Sequence, residues 1–147
     1  MIRIPSFAFT AAIEHSLGSL PAGIRHRVEH ADFLCGVDPV YAGLHRFEAM
    51  SYGRSYRSVA HCSWRMHSSD GRTTIVLPVV EDPIVIVHEL GHVLHEQIGW
   101  QHVAEPVTVY AKDGPVEAFA EALTAYLVPG YGERADGATM QLWRDLE

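Results

Sequence analysis

Hydrophobic side chains recur at helical spacing in the segment from residue 83 to residue 98. Asp82 is suited to cap the N-terminus of such a helix, Pro83 suits its first position, and Gly99 suits the position just beyond its end. The pattern therefore predicts an amphipathic helix that begins at Pro83 and ends before Gly99. Its buried sides would be formed by Val85, Val87, Leu90, Val93, Leu94 and Ile98.

A second segment with the same character covers residues 110–128. Asp113, Gly114 and Pro115 are typical of a helix start, and Pro129 is typical of a position just beyond a helix end. We predict a second helix within this segment. Its apolar stripe would consist of Val116, Phe119, Ala120, Leu123 and Leu127.

The N-terminal half of the chain combines helical and strand-like patterns. Residues 10–18 and 22–32 have helical character, and residues 32–37 are typical of a short strand. Apolar and polar side chains alternate along residues 58–67, and residues 73–80 are typical of the strand that returns beside them. These patterns predict helices followed by a small sheet.

The returning strand contains Pro78, which has no backbone N–H and therefore favours the edge of a sheet. The turn before it is predicted at residues 68–71, and a last short helix is predicted at residues 138–146, after a Gly-rich turn. We expect an α+β fold that spans residues 1–147 as a single domain, with a small mixed sheet that includes an edge strand.

Composition narrows the classes of partner. The chain has 147 residues, of which 48% are hydrophobic, so it can bury a core without disulfides. A formal net charge of −7 opposes binding to nucleic-acid phosphates. No apolar run reaches transmembrane length, so we expect neither nucleic acid nor a membrane as partner. The sequence leaves open whether Cys35 and Cys62 form a disulfide, and it favours free buried thiols.

The helix predicted from Pro83 contains the motif HELGH at residues 88–92. His88 and His92 are four residues apart, so a helix brings both imidazoles onto one face, where they can bind one cation. Glu89 lies about 100° around the helix from His88, from where its carboxylate can reach a metal-bound water without binding the metal. The motif predicts a zinc peptidase site with Glu89 as general base.

A catalytic zinc ion usually has three protein ligands and a fourth position for water. The metzincin spacing is absent, because His95 occupies its glycine position and Ile98 its final histidine position. His95 shares a helix face with His92, but three ligands within two turns of one straight helix cannot complete a tetrahedron. We predict that His95 lies at the wall of the cleft and does not bind the ion.

The third ligand must therefore come from farther along the chain, where Glu117 and Glu121 lie beside the apolar stripe of the second helix. Buried carboxylates are costly unless they are paired or bound to a metal. With two histidines upstream, the pattern favours Glu117 as the third ligand and Glu121 as a hydrogen-bond acceptor that orients a ligand imidazole. The alternatives for the third ligand are His102, Glu105 and Glu121.

From about residue 75 to residue 128, the chain resembles the catalytic domain of anthrax lethal factor and the related Pro-Pro endopeptidases. The HELGH motif, the apolar helix end with Gly99, and the segment VTVYAKDGPVEAFAEA at residues 107–122 carry the resemblance. In that family a tyrosine precedes the glutamate ligand by seven residues, as Tyr110 precedes Glu117 here.

The resemblance implies a gluzincin with a zincin-like fold. One Zn²⁺ ion would be held by His88, His92 and Glu117, while Tyr110 would donate a hydrogen bond to the oxyanion that forms during the reaction. We therefore expect a zinc-dependent endopeptidase that hydrolyses peptide bonds with a zinc-bound water activated by Glu89. The peptide or protein substrate would lie in extended form along the edge strand.

A second class of function is open at this point. The chain would then be a non-catalytic zincin-fold module for binding or assembly, for example in a phage particle, with a structural or vestigial zinc site. The N-terminal residues show no export signal, because Pro5, Glu14 and His15 interrupt the apolar run. We expect a cytoplasmic or phage-associated protein, with secretion by another route left open.

Overall fold

A computed structural model of the chain describes residues 2–3, 7–35, 61–64, 73–77 and 83–147. These residues divide into two compact units. The first unit draws on residues 1–15 and 30–83, and the second on residues 16–29 and 84–147. The expectation of a single domain over residues 1–147 stays a prediction.

Two helices lie near the N-terminus: α1, Phe7–Ser19, and α2, Ala22–Val28. Both fall where the sequence predicts helices, but α2 ends four residues before the predicted end at residue 32. The reason is tertiary, because Asp32 is already part of a strand that pairs with Thr74. Strand pairing satisfies the backbone groups that a longer helix would have satisfied.

The first unit contains a four-stranded mixed sheet. Its strands are β1, Ile2–Arg3; β2, Asp32–Cys35; β3, His61–Trp64; and β4, Thr73–Leu77. The order across the sheet is β1-β2-β4-β3, with β3 antiparallel to β4 and the other pairs parallel. Phe33 on β2 is in register with Ile75 on β4, and both side chains are buried.

The structure corrects one prediction about this sheet. The strand expected at the edge, residues 73–80, is an interior strand, because β4 pairs with β2 on one side and β3 on the other. Leu77 is the last residue of β4, and Pro78 lies outside the described residues. Among the described strands, β1 and β3 are at the two edges.

The second unit carries α3, Pro83–Gln97; a 3-10 turn, Tyr110–Asp113; α4, Pro115–Leu127; and α5, Gly137–Leu146. As predicted, α3 begins at Pro83. It ends in a Schellman arrangement, in which the Trp100 amide donates to the His95 carbonyl at 2.9 Å and Gly99 has a φ of +74°. The residue that the sequence marks as the helix stop therefore performs that role.

Two close contacts pack the helices of this unit together. A Cβ atom at Gly91 on α3 would lie 2.7 Å from the Cα atom of Ala120 on α4, so the two backbones meet without an intervening side chain. Phe119 on α4 packs edge-on against Trp143 on α5, with ring centroids 5.1 Å apart. Both aromatic side chains are fully buried.

Across the described part of the chain, every helix falls short of the length and apolar character that spanning a membrane requires.

Candidate metal centre

Helix α3 holds the two histidines of the HELGH motif next to each other. The imidazole rings of His88 and His92 have centroids 4.8 Å apart and planes at 86°. Apolar neighbours on both sides of this face are buried and fix the rotation of the helix; they are Ile86, Val87, Leu90, Val93 and Leu94. The helix therefore presents both rings toward a common point.

Helix α4 brings Glu117 to the same point. Its Oε2 atom lies 3.0 Å from Nε2 of His88 and 3.5 Å from Nε2 of His92. Glu117 lies in the first turn of α4, two residues after Pro115, and the burial of the following residues Ala118, Phe119 and Ala120 sets the rotation of that helix. The carboxylate and the two imidazoles thus come from two helices that touch.

The three side chains His88, His92 and Glu117 form a donor set, that is, a group of metal-ligand atoms, whose chemistry suits a zinc ion. One ligand atom from each of His88, His92 and Glu117 lies within 4.8 Å of the others. Zinc bonds of about 2.0–2.2 Å in a tetrahedron place neighbouring ligand atoms about 3.3–3.6 Å apart. The two distances to the Glu117 oxygen lie close to that range. The side chains are 12%, 7% and 26% exposed in the same order, so the cluster is sheltered but reachable from solvent.

Glu121 lies behind the cluster and accepts hydrogen bonds from three side chains. His88 Nδ1 is 2.7 Å from its Oε1 atom, Thr108 Oγ1 is 2.6 Å from its Oε2 atom, and the Tyr131 hydroxyl is 2.8 Å from that same Oε2 atom. The side chain is only 2% exposed. A carboxylate facing Nδ1 holds the hydrogen on that nitrogen and leaves the lone pair of Nε2 for a cation. The structure brings Glu121 to the imidazole of His88, and its orienting role stays a prediction.

The same contacts shift the pKa values of the cluster when no ion is bound. Burial alone would lower the pKa of His88, but hydrogen bonds to Glu117 and Glu121 and the nearby charge of Glu89 outweigh it and raise the pKa to about 10. For Glu117, burial alone would raise the pKa. Hydrogen bonds and charges from the two histidines nevertheless hold the pKa of its carboxyl far below the usual range. A positive charge at this point is therefore strongly favoured.

Glu89 is on the same helix but does not belong to the donor set. Its side chain is buried, and its Oε2 atom has no hydrogen-bond partner within the residues that the structure describes. Burial raises the pKa of this carboxyl, although the charges of His92 and His88 partly oppose the shift. A buried carboxylate oxygen near the three candidate ligands is positioned to bind a water molecule and to accept a proton from it.

Tyr110 opens the 3-10 turn that precedes α4. Its ring centroid lies 5.7 Å from that of His88, and 45% of the residue is exposed. The partly exposed phenol ring therefore lies beside the imidazole of His88. The resemblance implies this position for a hydrogen-bond donor to the oxyanion, and the structure brings Tyr110 together with His88.

The other candidates from the sequence lie away from the cluster. His95 is buried rather than at a cleft wall, because its ring stacks on Phe119 at 4.1 Å and its Nε2 atom is 2.9 Å from the His102 carbonyl. His102 itself contacts the Thr139 hydroxyl at 2.8 Å. Glu105 is exposed. Among the described residues, none of these three belongs to the donor set.

Sequence reasoning does not identify Thr108 and Tyr131, the two hydroxyl donors to Glu121. A buried carboxylate at position 121 implies that donors exist, because an unpaired one is costly. Which hydroxyls supply them depends on a turn that folds back after α4. The Glu133 amide in that turn donates to the Val107 carbonyl at 2.9 Å, which brings Tyr131 toward Thr108.

No family model, no curated protein and no solved structure matches this chain. The functional interpretation therefore depends on the residues of the cluster and on their geometry. Two imidazoles and one carboxylate form a set that can bind a divalent cation, and the buried carboxylate of Glu89 and the exposed phenol of Tyr110 lie beside that set.

Proposed function

We propose that the chain is a zinc-dependent endopeptidase of the gluzincin type with a zincin-like fold. The observation that carries this proposal is the convergence of His88, His92 and Glu117 from two helices. Glu89 lies on the same helix as the histidines, and its buried Oε2 atom has no hydrogen-bond partner among the described residues. One Zn²⁺ ion would be held by these three side chains. When bound, zinc supplies a Lewis acid that lowers the pKa of a coordinated water toward 7.

Glu89 is the proposed general base. Its carboxylate takes a proton from the attacking water and then delivers that proton to the nitrogen of the leaving amine. A pKa raised by burial suits both transfers, because a carboxyl that titrates closer to neutral pH can accept and release a proton more readily. Glu89 therefore transfers the proton, whereas the neighbouring side chains bind the metal.

Tyr110 is the proposed donor to the oxyanion. A phenol is neutral at pH 7 and donates one hydrogen bond, and its ring lies within reach of the cluster without filling it. Such a donor stabilises the tetrahedral state more than the bound substrate, because negative charge develops on the oxygen only during the reaction. Glu121 serves the site differently, by keeping a hydrogen on Nδ1 of His88 when an ion takes the place of the proton on Nε2.

The proposed substrate is a peptide or protein segment in extended conformation, held by main-chain hydrogen bonds along an edge strand. The resemblance to the Pro-Pro endopeptidases makes proline-rich peptides the first to assay. An association with a larger assembly is compatible with the same chemistry.

The test separates metal binding from chemistry. Purified wild-type protein should retain about one zinc ion per chain, and Glu117→Ala should lose it. Glu105→Ala is the matched control, because Glu105 is an exposed glutamate outside the cluster, and it should keep the ion. His95→Ala should also keep it, although loss of the stacked ring will lower stability. Stoichiometric zinc in Glu117→Ala would overturn the ligand assignment.

Glu89→Gln tests the reaction itself. This variant should keep zinc and fold, yet cleave a broad peptide library about 10²–10⁴-fold more slowly, since it lacks the base. Cleavage at the wild-type rate would show that the proposed mechanism is wrong. If the zinc-loaded wild type cleaves no member of the library, the result favours a module that binds or assembles without catalysis.

A further inference from the structure

The hydroxyl group of Thr108 lies between two parts of the site. Its oxygen is 2.6 Å from Oε2 of Glu121 and 3.1 Å from the backbone nitrogen of Ala111. A hydroxyl has one hydrogen to donate and lone pairs to accept with. The ionised Glu121 can only accept and the Ala111 amide can only donate, so both bonds have a fixed direction.

The two hydrogen bonds of Thr108 support different groups in the proposed reaction, a metal ligand and the oxyanion donor. Glu121 is bonded to Nδ1 of His88 and so orients a metal ligand. Ala111 follows Tyr110 directly in the 3-10 turn, and it is buried, so its amide depends on the acceptor that Thr108 provides. One hydroxyl therefore connects the support of the metal ligand with the turn that carries the oxyanion donor.

The side chain of Thr108 is itself held in place by the turn after α4. Gly132 has a φ of +63°, and a Cβ atom there would lie 3.1 Å from the Thr108 methyl group and 3.1 Å from the Val107 carbonyl oxygen. The close approach of this backbone restricts the methyl group, and β-branched side chains have few rotamers to begin with. The hydroxyl is thereby directed toward Glu121 and Ala111.

We infer that Thr108 is a positioning residue that couples the metal ligand His88 to the oxyanion donor Tyr110 through its single hydroxyl group. The inference rests on the proposed peptidase function. Thr108 does not touch the reacting atoms. It acts by holding Glu121 on one side and the turn at Ala111 on the other.

The decisive substitution is Thr108→Val, which keeps the branched shape and removes only the hydroxyl. Zinc affinity should fall about 10-fold, at the lower end of the range for residues that orient metal ligands. In protein saturated with zinc, kcat should fall while KM changes little. The Ala111 amide should exchange its hydrogen faster, as measured by NMR. Thr108→Ser restores the hydroxyl and should recover most of each loss.

Tyr131→Phe is the matched control, because it removes the other hydroxyl that donates to Glu121 and leaves the hydrogen bond from the Ala111 amide to Thr108 in place. It should weaken zinc binding as Thr108→Val does, while leaving the exchange of the Ala111 amide unchanged. Its effect on kcat in zinc-saturated protein should be smaller than that of Thr108→Val. Equal effects of the two variants on all three quantities would overturn the inference.

Double substitutions test the two routes separately. In a Glu121→Gln background, Thr108→Val should cause little further loss of zinc affinity, because the carboxylate that Thr108 supports is already gone. In a Tyr110→Phe background, it should cause little further loss of kcat. Full additivity in both backgrounds would show that Thr108 contributes only to general stability.

The outcome also separates this inference from the proposed function. A wild-type chain that binds no zinc would overturn the proposed function, and the inference with it. Tight zinc binding by the wild type, together with unchanged affinity and unchanged Ala111 exchange in Thr108→Val, would overturn the inference alone. The affinity and exchange measurements need no substrate.

Discussion

His88 lies between two carboxylates, with Glu117 3.0 Å from its Nε2 atom and Glu121 2.7 Å from its Nδ1 atom. In the metal-free protein both nitrogens carry hydrogens, since the pKa of this imidazole is raised to about 10. The favourable contribution of the charged ring to folding is complete below pH 6.5 and is lost as the pH rises through about 10. A cation at Nε2 must displace one of these protons.

Zinc binding should therefore release a proton from His88. At pH 7 we expect about one proton released per ion, and an affinity that rises about tenfold per pH unit while that proton is displaced. Calorimetric titrations in buffers with different ionisation enthalpies measure the number directly. Glu121→Gln removes one carboxylate beside the ring and should release fewer protons. Binding heats that do not depend on the buffer would contradict the assignment of His88 as a ligand.

Tyr110 should affect turnover more than substrate affinity. Tyr110→Phe removes one donor to the oxyanion, which costs about 10²–10³-fold in kcat in comparable sites, while KM should change little. The matched control is Tyr126→Phe, whose hydroxyl bonds Glu147. Steady-state kinetics on a cleaved peptide measures both. A Tyr110→Phe enzyme with wild-type kcat would remove Tyr110 from the mechanism.

At the scale of elements, the contact between α3 and α4 sets the distance between the ligands. Gly91 is three residues after His88, and Ala120 is three residues after Glu117, so the point of closest approach lies about one turn from the cluster. This close contact explains why a glycine occupies position 91 in the HELGH motif. Any side chain at position 91 would separate the helices that bring the ligands together.

Gly91→Ala should therefore destabilise the protein although alanine is the better helix former. The added Cβ atom would lie 2.7 Å from the Ala120 backbone, and such overpacking costs about 1–3 kcal/mol, against a gain of about 1 kcal/mol in helix propensity. Gly18→Ala in α1 is the control, since a Cβ atom there meets nothing within 4 Å, and it should stabilise. Urea denaturation measures the free energy of unfolding of both variants. A Gly91→Ala variant more stable than the wild type would refute the packing argument.

At the scale of the whole second unit, Asp136 anchors α5 and the loop before it. Its carboxylate accepts from the Thr139 amide at 3.0 Å, the Thr139 hydroxyl at 2.7 Å and the Glu105 amide at 3.1 Å. Its slight burial would raise the pKa, but these bonds outweigh burial and lower it from 3.8 to about 2. The same Thr139 hydroxyl contacts Nε2 of His102. The backbone carbonyl of His102 in turn accepts a hydrogen bond from Nε2 of His95. One helix cap thus ties two segments of the chain together.

The stabilising contribution of Asp136 should disappear in acid. It is present above pH 3.8 and is lost as the pH falls toward 2, because the folded-state pKa is the lower one. Asp136→Ala should cost about 0.5–2 kcal/mol at neutral pH and should flatten the loss of stability between pH 4 and 2. Thermal denaturation across that range measures both effects. Asp145→Ala, an exposed position on the same helix, should leave the acid profile as in the wild type.

Local patterns are sufficient to predict much of this unit. Pro83 and Gly99 bound α3, and the four-residue spacing of His88 and His92 places both rings on one face, because helix geometry depends only on neighbours in the chain. The start and end of α4 and α5 follow from the same kind of signal. Glu117 needed more than spacing, since its place beside the histidines depends on two helices packing at Gly91.

Only the tertiary structure decided the features that join distant segments. The two hydroxyl donors to Glu121 come from Thr108 and Tyr131, which meet through a turn that the sequence marks only as Gly-rich. The strand at residues 73–77 lies inside the sheet, although its proline suggested an edge, because strand order depends on which partners pair. His95 is buried rather than at a cleft wall, since its stacking on Phe119 is a contact between helices. Spacing along the chain determines which residues share a face, whereas packing determines what each face meets.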